Sequence, residues 1–315
     1  MPGGIQTVTG FVPATSIGFT LPHEHTACAF WHIPGRWDYW EITDDEDVVA
    51  PELGLFRDQG GSCLVDVTLP GIGRDPQRLK RLAERTGLAI VMGTGWYRQA
   101  YYPPEAAIDR RSVDSLAETM IGEAYGGVAD TGIRPGIIGE IGTDLPWVSA
   151  QEERVYRAAA RTHRATGLAI TTHASLSEVG LAQLAILEEE GADLGRVAVG
   201  HVDSRPSLRY CLAIIERGAN VEFDLLGRSG QAAVLAEPRL VRLLLKLIDL
   251  GHAGRILLSH DVCHNEHLTA FGGTGYAYLS GVFLPRLRAA GVNQQLIEQL
   301  TVENPKRLLA IDRPG

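Results

Sequence analysis

No apolar run in this sequence approaches the ~20 residues that cross a bilayer, so a membrane-spanning helix is excluded. Positive charge is also short. Lys and Arg total 29 against 38 Asp and Glu, a net charge of −9, which leaves no basic stripe for nucleic acid or anionic lipid. The first residues, MPGGIQTVTGF, lack a basic segment followed by an apolar one, so no secretory signal is expected. Cys28, Cys63, Cys211 and Cys263 are scattered without CxxC spacing, and the expectation is free thiols in a reducing cytoplasm. No stretch rich in Pro, Gly or Ser divides the chain. Lysine is scarce: only Lys80, Lys246 and Lys306 occur.

What is present is 45% hydrophobic residues in 315, enough apolar surface to offset chain entropy and to exclude disorder as the dominant state. One theme repeats: a short apolar, β-branched run, a loop, then a helical pattern. Strands are predicted at 17–21, 62–67, 88–93, 136–140, 168–172, 196–200, 219–224 and 255–259. Helical spacing is clearest at 75–86, 112–125, 151–166, 177–190, 206–217 and 236–249. Near-continuous apolar strands imply a parallel sheet buried on both faces. Eight such units predict an α/β fold, a closed (β/α)8 TIM barrel in a single domain over residues 1–315. No Gly-rich phosphate fingerprint follows the first strand, which argues against the open dinucleotide-binding alternative. The longest irregular stretches, 26–46, 94–111 and 261–275, all follow strand C-termini, where a barrel keeps its active site.

The residues at those strand ends share a chemistry. Strand 1 ends in His23-Glu24-His25, strand 4 in Glu140, strand 5 in His173, strand 6 in His201 and strand 8 in Asp261. Side chains alternate along a strand, so His23 and His25 point one way and Glu24 the other. Imidazole and carboxylate are the ligands of Zn²⁺, Mn²⁺, Co²⁺ or Fe²⁺. Six such side chains exceed one tetrahedral site and suffice for two cations sharing a bridging carboxylate. Asp203, Asp66 and Asp224 are candidates for supporting hydrogen bonds, and Asp203 or Ser204 equally suits the cap of the 206–217 helix.

The ordered set LPHEH, GIIGEIG, ITTHA, GHVDS and LLSHD resembles the phosphotriesterase family of the amidohydrolase superfamily, from TVTG near the start to ENPKRLL near the end. The resemblance implies a (β/α)8 barrel and a binuclear metal centre. One cation would sit on His23, His25 and Asp261 and the other on His173 and His201, with Glu140 bridging. Glu140 departs from the best-known members, which bridge with a carboxylated lysine. None of the three lysines falls near a strand end, which excludes that bridge here. FDLLG (223–227) and FGGTGY (271–276) are similar to stretches of the phosphotriesterase-related branch, which has glutamate-bridged members. Where efficient phosphotriesterases carry a histidine and acyl-homoserine lactonases an arginine, after the strand 7 aspartate, this chain has Leu225.

The activity so implied is hydrolysis at two divalent cations, zinc foremost, with Asp261 moving the proton. The first substrate class is a lactone or carboxylic ester, with weak phosphotriesterase activity. The alternative is a small anionic N-acyl amide. Tyr97, Arg98, Arg228 and His264 are the candidate substrate contacts. His163 on its helix is expected at the surface. His32 and His267 lie on rim loops, and Trp31, Trp37, Trp40 and Trp147 suit loop packing or an interface. The resemblance further implies a homodimer acting on a small molecule.

Overall fold

The computed structural model describes residues 3–30, 41–228 and 237–312. Eight parallel strands form one sheet in chain order: β1 (Phe19–Glu24), β2 (Gly61–Asp66), β3 (Ala89–Thr94), β4 (Ile137–Gly142), β5 (Ile170–His173), β6 (Val197–Gly200), β7 (Asn220–Phe223) and β8 (Ile256–Leu258). The ring closes just beyond β8, where Asp261 N–H donates to the His23 carbonyl and His25 N–H to the Val262 carbonyl, each at 3.2 Å. The closure therefore lies at two of the candidate ligands.

Each strand leads to a helix outside the ring: α1 (Glu46–Asp58), α2 (Pro76–Thr86), α3 (Val113–Gly126), α4 (Ala150–Thr166), α5 (Gly180–Glu189), α6 (Leu208–Glu216), α7 (Glu237–Asp249) and α8 (Leu284–Ala289). Their starts are written in the sequence. Ser149 and Glu152 form a reciprocal capping box on α4, and Asp75 caps α2 with Pro76 in its first turn. One apolar layer, with Leu64, Ile90, Ile138, Ile170, Val199, Val221 and Leu258, packs between strands and helices. A second, with Val65, Val91, Ile137, Ala169, Ala198 and Leu257, fills the barrel floor against Ile5, Leu308 and Leu309. No described helix is long and apolar enough to cross a membrane.

Two expectations are corrected, and one element is added. The first strand runs to Glu24 instead of ending at residue 21, with a register irregularity between Leu21 and Glu24. Pro22 and the polar HEH run hid this extension. A hairpin, Gly4–Thr7 with Gly10–Pro13, plugs the floor, and α1 follows the first loop. Pro51 within α1 interrupts its sequence signal. His163 is buried, not superficial. Its Nδ1–H donates to the Leu168 carbonyl at 2.8 Å and its Nε2 accepts Asp193 N–H at 3.2 Å, which requires the neutral ring. Trp31, His32, Trp37 and Trp40 lie outside the described residues.

Burial holds the His163 pKa below its ordinary value. The unfolded chain then takes up this proton first, so the residue's contribution to stability is lost as pH falls below ~6.5. In His163→Gln, unfolding free energy from urea titrations should fall less steeply between pH 7 and 5 than in wild type. An equal slope refutes the assignment.

Candidate metal centre and active site

At the C-terminal rim, four imidazoles converge on the carboxylate of Glu140. Its Oε2 lies 3.5 Å from His23 Nε2, 3.0 Å from His173 Nδ1 and 3.4 Å from His201 Nε2, and its Oε1 lies 3.3 Å from His25 Nε2. Asp261 Oδ1 stands 3.2 Å from His25 Nε2 and 4.0 Å from His23 Nε2. All six side chains predicted as ligands thus come together, from five strands. His201 and Asp261 hold φ of 58° and 49°, left-handed values that non-glycine residues adopt at a cost and that recur at functional sites.

Each ring on the first strand and on β6 is held by its far nitrogen. His25 Nδ1–H donates to Thr68 Oγ1 at 2.9 Å, and Thr68 in turn donates to the Ala27 carbonyl. His201 Nδ1–H donates to Asp224 Oδ1 at 2.7 Å. His23 Nδ1 faces Glu222 at 3.2 Å and Asp224 at 3.3 Å. The other nitrogen of each is left turned inward. Glu24, pointing the opposite way as strand alternation requires, accepts from Ser259 Oγ, His260 N–H, His260 Nδ1–H and Val262 N–H at 2.7–2.9 Å. Those bonds fix the turn that presents Asp261. Tyr276, from the FGGTGY stretch, adds a bond to the His25 carbonyl at 2.6 Å.

The donor set fits divalent cations. His201 Nε2 and His173 Nδ1 are only 2.7 Å apart beside Glu140, and His23 Nε2 is buried with no hydrogen-bond partner. Three triads, His23/His25/Glu140, Glu140/His173/His201 and His23/His201/Asp224, place ligand atoms close enough to hold an ion. Electrostatics agree. Burial opposes charging of His25 and His201, yet Asp261 and Glu140 push the first up to about 9, and Asp224 with Glu140 the second to about 10. Burial and the facing His201 pull His173 down to about 4. Burial also opposes ionisation of Glu140, but His23 and His173 hold its carboxyl well below the usual range. Buried carboxylates here demand positive charge, which bound cations would supply.

A cavity of about 500 Å³ opens over this cluster. Tyr97, Arg98 and Arg228 line it with Phe30, Leu145 and Leu176. Tyr97 Oη lies 3.2 Å from His173 Nδ1. The loop carrying Tyr97 and Arg98 sits directly on β4, because Gly142 has no Cβ; one added there would meet Arg98 Cγ at 2.4 Å. Arg98 pairs with Asp144 at 3.4 Å, and Arg228 with Asp261 Oδ2 at 3.0 Å. His264 Nδ1 accepts Glu266 N–H at 3.1 Å in the turn Asn265–His267. Asp203 does not cap α6, which Ser207 does; its Oδ2 accepts Leu225 N–H at 2.8 Å. Asp66 accepts from Thr26 and Thr68, a structural role. Glu222 and Thr68 were not foreseen. The available signal for Glu222 was its position two residues before Asp224 on one strand face.

Residues 3–309 match the phosphotriesterase family. The chain belongs to that family. The phosphotriesterase homology protein of Escherichia coli is 36% identical over 92% of this chain and 97% of its own. Its structure, with phosphate in the active site, superposes with a TM-score of 0.87 over 93% of this chain and 99% of that one, at 34% identity. Human N-acetyltaurine hydrolase is 30% identical over 98% of both chains. A mutant of a phosphotriesterase-like lactonase from Deinococcus radiodurans superposes with a TM-score of 0.82 at 30% identity, over 97% of this chain and 99% of that one. The chain is a hydrolase of this family, built on the (β/α)8 barrel.

Proposed function

We propose that this hydrolase cleaves a lactone or carboxylic ester at two divalent cations held by His23, His25, Glu140, His173, His201 and Asp261. The convergence of four imidazoles on Glu140 carries the reading. Zinc suits the nitrogen-rich donor set best, and Mn²⁺, Co²⁺ or Fe²⁺ are the other ions it accepts. When bound, such a pair polarises the substrate carbonyl and lowers the pKa of water from ~15.7 toward ~7.

The chain's own residues do the rest. Asp261 is kept ionised: burial opposes it, but Arg228, His25 and His201 hold its carboxyl well below the ordinary range. Its position beside His25 and the candidate cations assigns it the proton of the attacking water, which it passes to the leaving oxygen; a carboxyl held this low is ionised but a weak base, so the assignment rests on position. Tyr97 lines the cavity beside His173, its hydroxyl 3.2 Å from Nδ1. Both cavity arginines already face carboxylates, so the charges of the wall balance internally, and Phe30, Leu145 and Leu176 give it apolar surface. That favours a neutral substrate.

The second reading is hydrolysis of a small anionic N-acyl amide. It is favoured by Arg98 and Arg228 standing on the wall, and by the similarity to N-acetyltaurine hydrolase. In it, the substrate's acid group replaces a carboxylate partner of one arginine. Acid release by the Zn²⁺- or Mn²⁺-loaded protein, followed by pH-stat across lactones, aryl esters, N-acetylated amino and sulfonic acids and a phosphotriester, separates the two. Lactone or ester turnover well above the rest is expected. Turnover confined to anionic amides, with KM raised in Arg98→Met and Arg228→Met, establishes the second reading instead.

A further inference from the structure

We infer that Glu222 is a positioning residue for one cation, acting through His23. The inference rests on the proposed role of His23 as a ligand.

Glu222 lies on β7, fully buried, one residue pair below the rim. Strand alternation sends Glu222 and Asp224 to the same inner face, as it does Thr171 and His173 on β5. Two donors reach the Glu222 carboxylate, both at Oε2: Thr171 Oγ1 and His23 Nδ1, each at 3.2 Å. Its Oε1 is buried with no hydrogen-bond partner. A carboxylate so poorly satisfied is expensive to bury, and nothing in the apolar floor below requires one there.

Its neighbour Asp224 is differently engaged. Asp224 lies 3.3 Å from the same His23 nitrogen, but it already takes the His201 ring at 2.7 Å and the His201 backbone N–H at 3.0 Å. Glu222 is thus the acceptor available to His23 Nδ1–H. That bond puts the proton on Nδ1 and leaves Nε2, the partnerless buried nitrogen, as a lone pair facing Glu140 and Asp261. A carboxylate behind an imidazole orients the ring and raises its basicity, and loss of such a partner costs about 10–100-fold in metal affinity or activity.

Two variants separate charge from hydrogen bonding. Glu222→Gln keeps an oxygen for His23 Nδ1–H and removes the charge; Glu222→Leu removes both. Each is measured by chelator competition for Zn²⁺ at fixed pH, with total metal counted by atomic emission and the melting temperature of the stripped protein recorded. Wild type should hold two cations. One of them should bind about 10-fold more weakly in Glu222→Gln and up to about 100-fold more weakly in Glu222→Leu, the other within about 2-fold of wild type. Stripped variants should melt somewhat lower than stripped wild type, since without cations Glu222 pairs with the His23 ring at 3.2 Å. Thr171→Val, which deletes the other donor, should bind both cations normally. Two-cation wild type with unchanged affinity in both Glu222 variants overturns the inference alone. Equal loss of affinity for both cations overturns it too, because the effect is then not passed through His23. A wild type that takes up no cation overturns the proposed function as well.

Discussion

Asp261→Asn should retain bound metal and lose turnover by about 10²–10⁴-fold, the range that general acid–base catalysis contributes. The amide keeps an oxygen to offer where Asp261 Oδ1 lies, 3.2 Å from His25 Nε2. It cannot take up a proton at neutral pH. It also sets an N–H group against Arg228, which now pairs with Asp261 Oδ2 at 3.0 Å, so part of the loss is geometric. Metal content by atomic emission and kcat on the best substrate of the panel are measured on the same preparation. Turnover within a few-fold of wild type removes Asp261 from proton transfer. Loss of metal in step with turnover makes it a ligand only.

Stripping the cations should abolish hydrolysis and make stability depend on pH. In the stripped protein His25 titrates at about 9 and His201 at about 10. In the unfolded chain both titrate near ~6.5. Between those values the folded state binds more protons. The stability these rings contribute is therefore complete below ~6.5 and is lost as pH rises through 9 to 10. With cations bound the rings would be neutral ligands, and the dependence should flatten. Urea unfolding of both forms at pH 7, 8, 9 and 10 tests this, and parallel pH profiles refute it. Rebinding Zn²⁺ at pH 8 should release protons, because the metal displaces them from the rings.

On β1 the apolar run stops at residue 21, but the strand continues through Pro22 to Glu24, because Glu24 pairs with Asp66 on β2 past a register irregularity and the amides beside it bond across the ring closure to Asp261 and Val262. The same closure gives Glu24 its four donors. His163 shows the reverse error. A histidine on a polar helix reads as exposed, yet a neighbouring turn, ending in Asp193, covers it.

The sequence by itself determined the eight-fold alternation, the rim to which His23, His25, Glu140, His173, His201 and Asp261 belong, and the absence of a lysine bridge. Those follow from local periodicity and from residue type at strand ends, which a chain carries in its own order. Only the tertiary structure decided that Arg228 faces Asp261, that Arg98 faces Asp144, and that Glu222 stands behind His23. These pairs join residues 33, 46 and 199 positions apart. Their distances are set by barrel closure, strand stagger and loop packing, none of which is a property of any one segment.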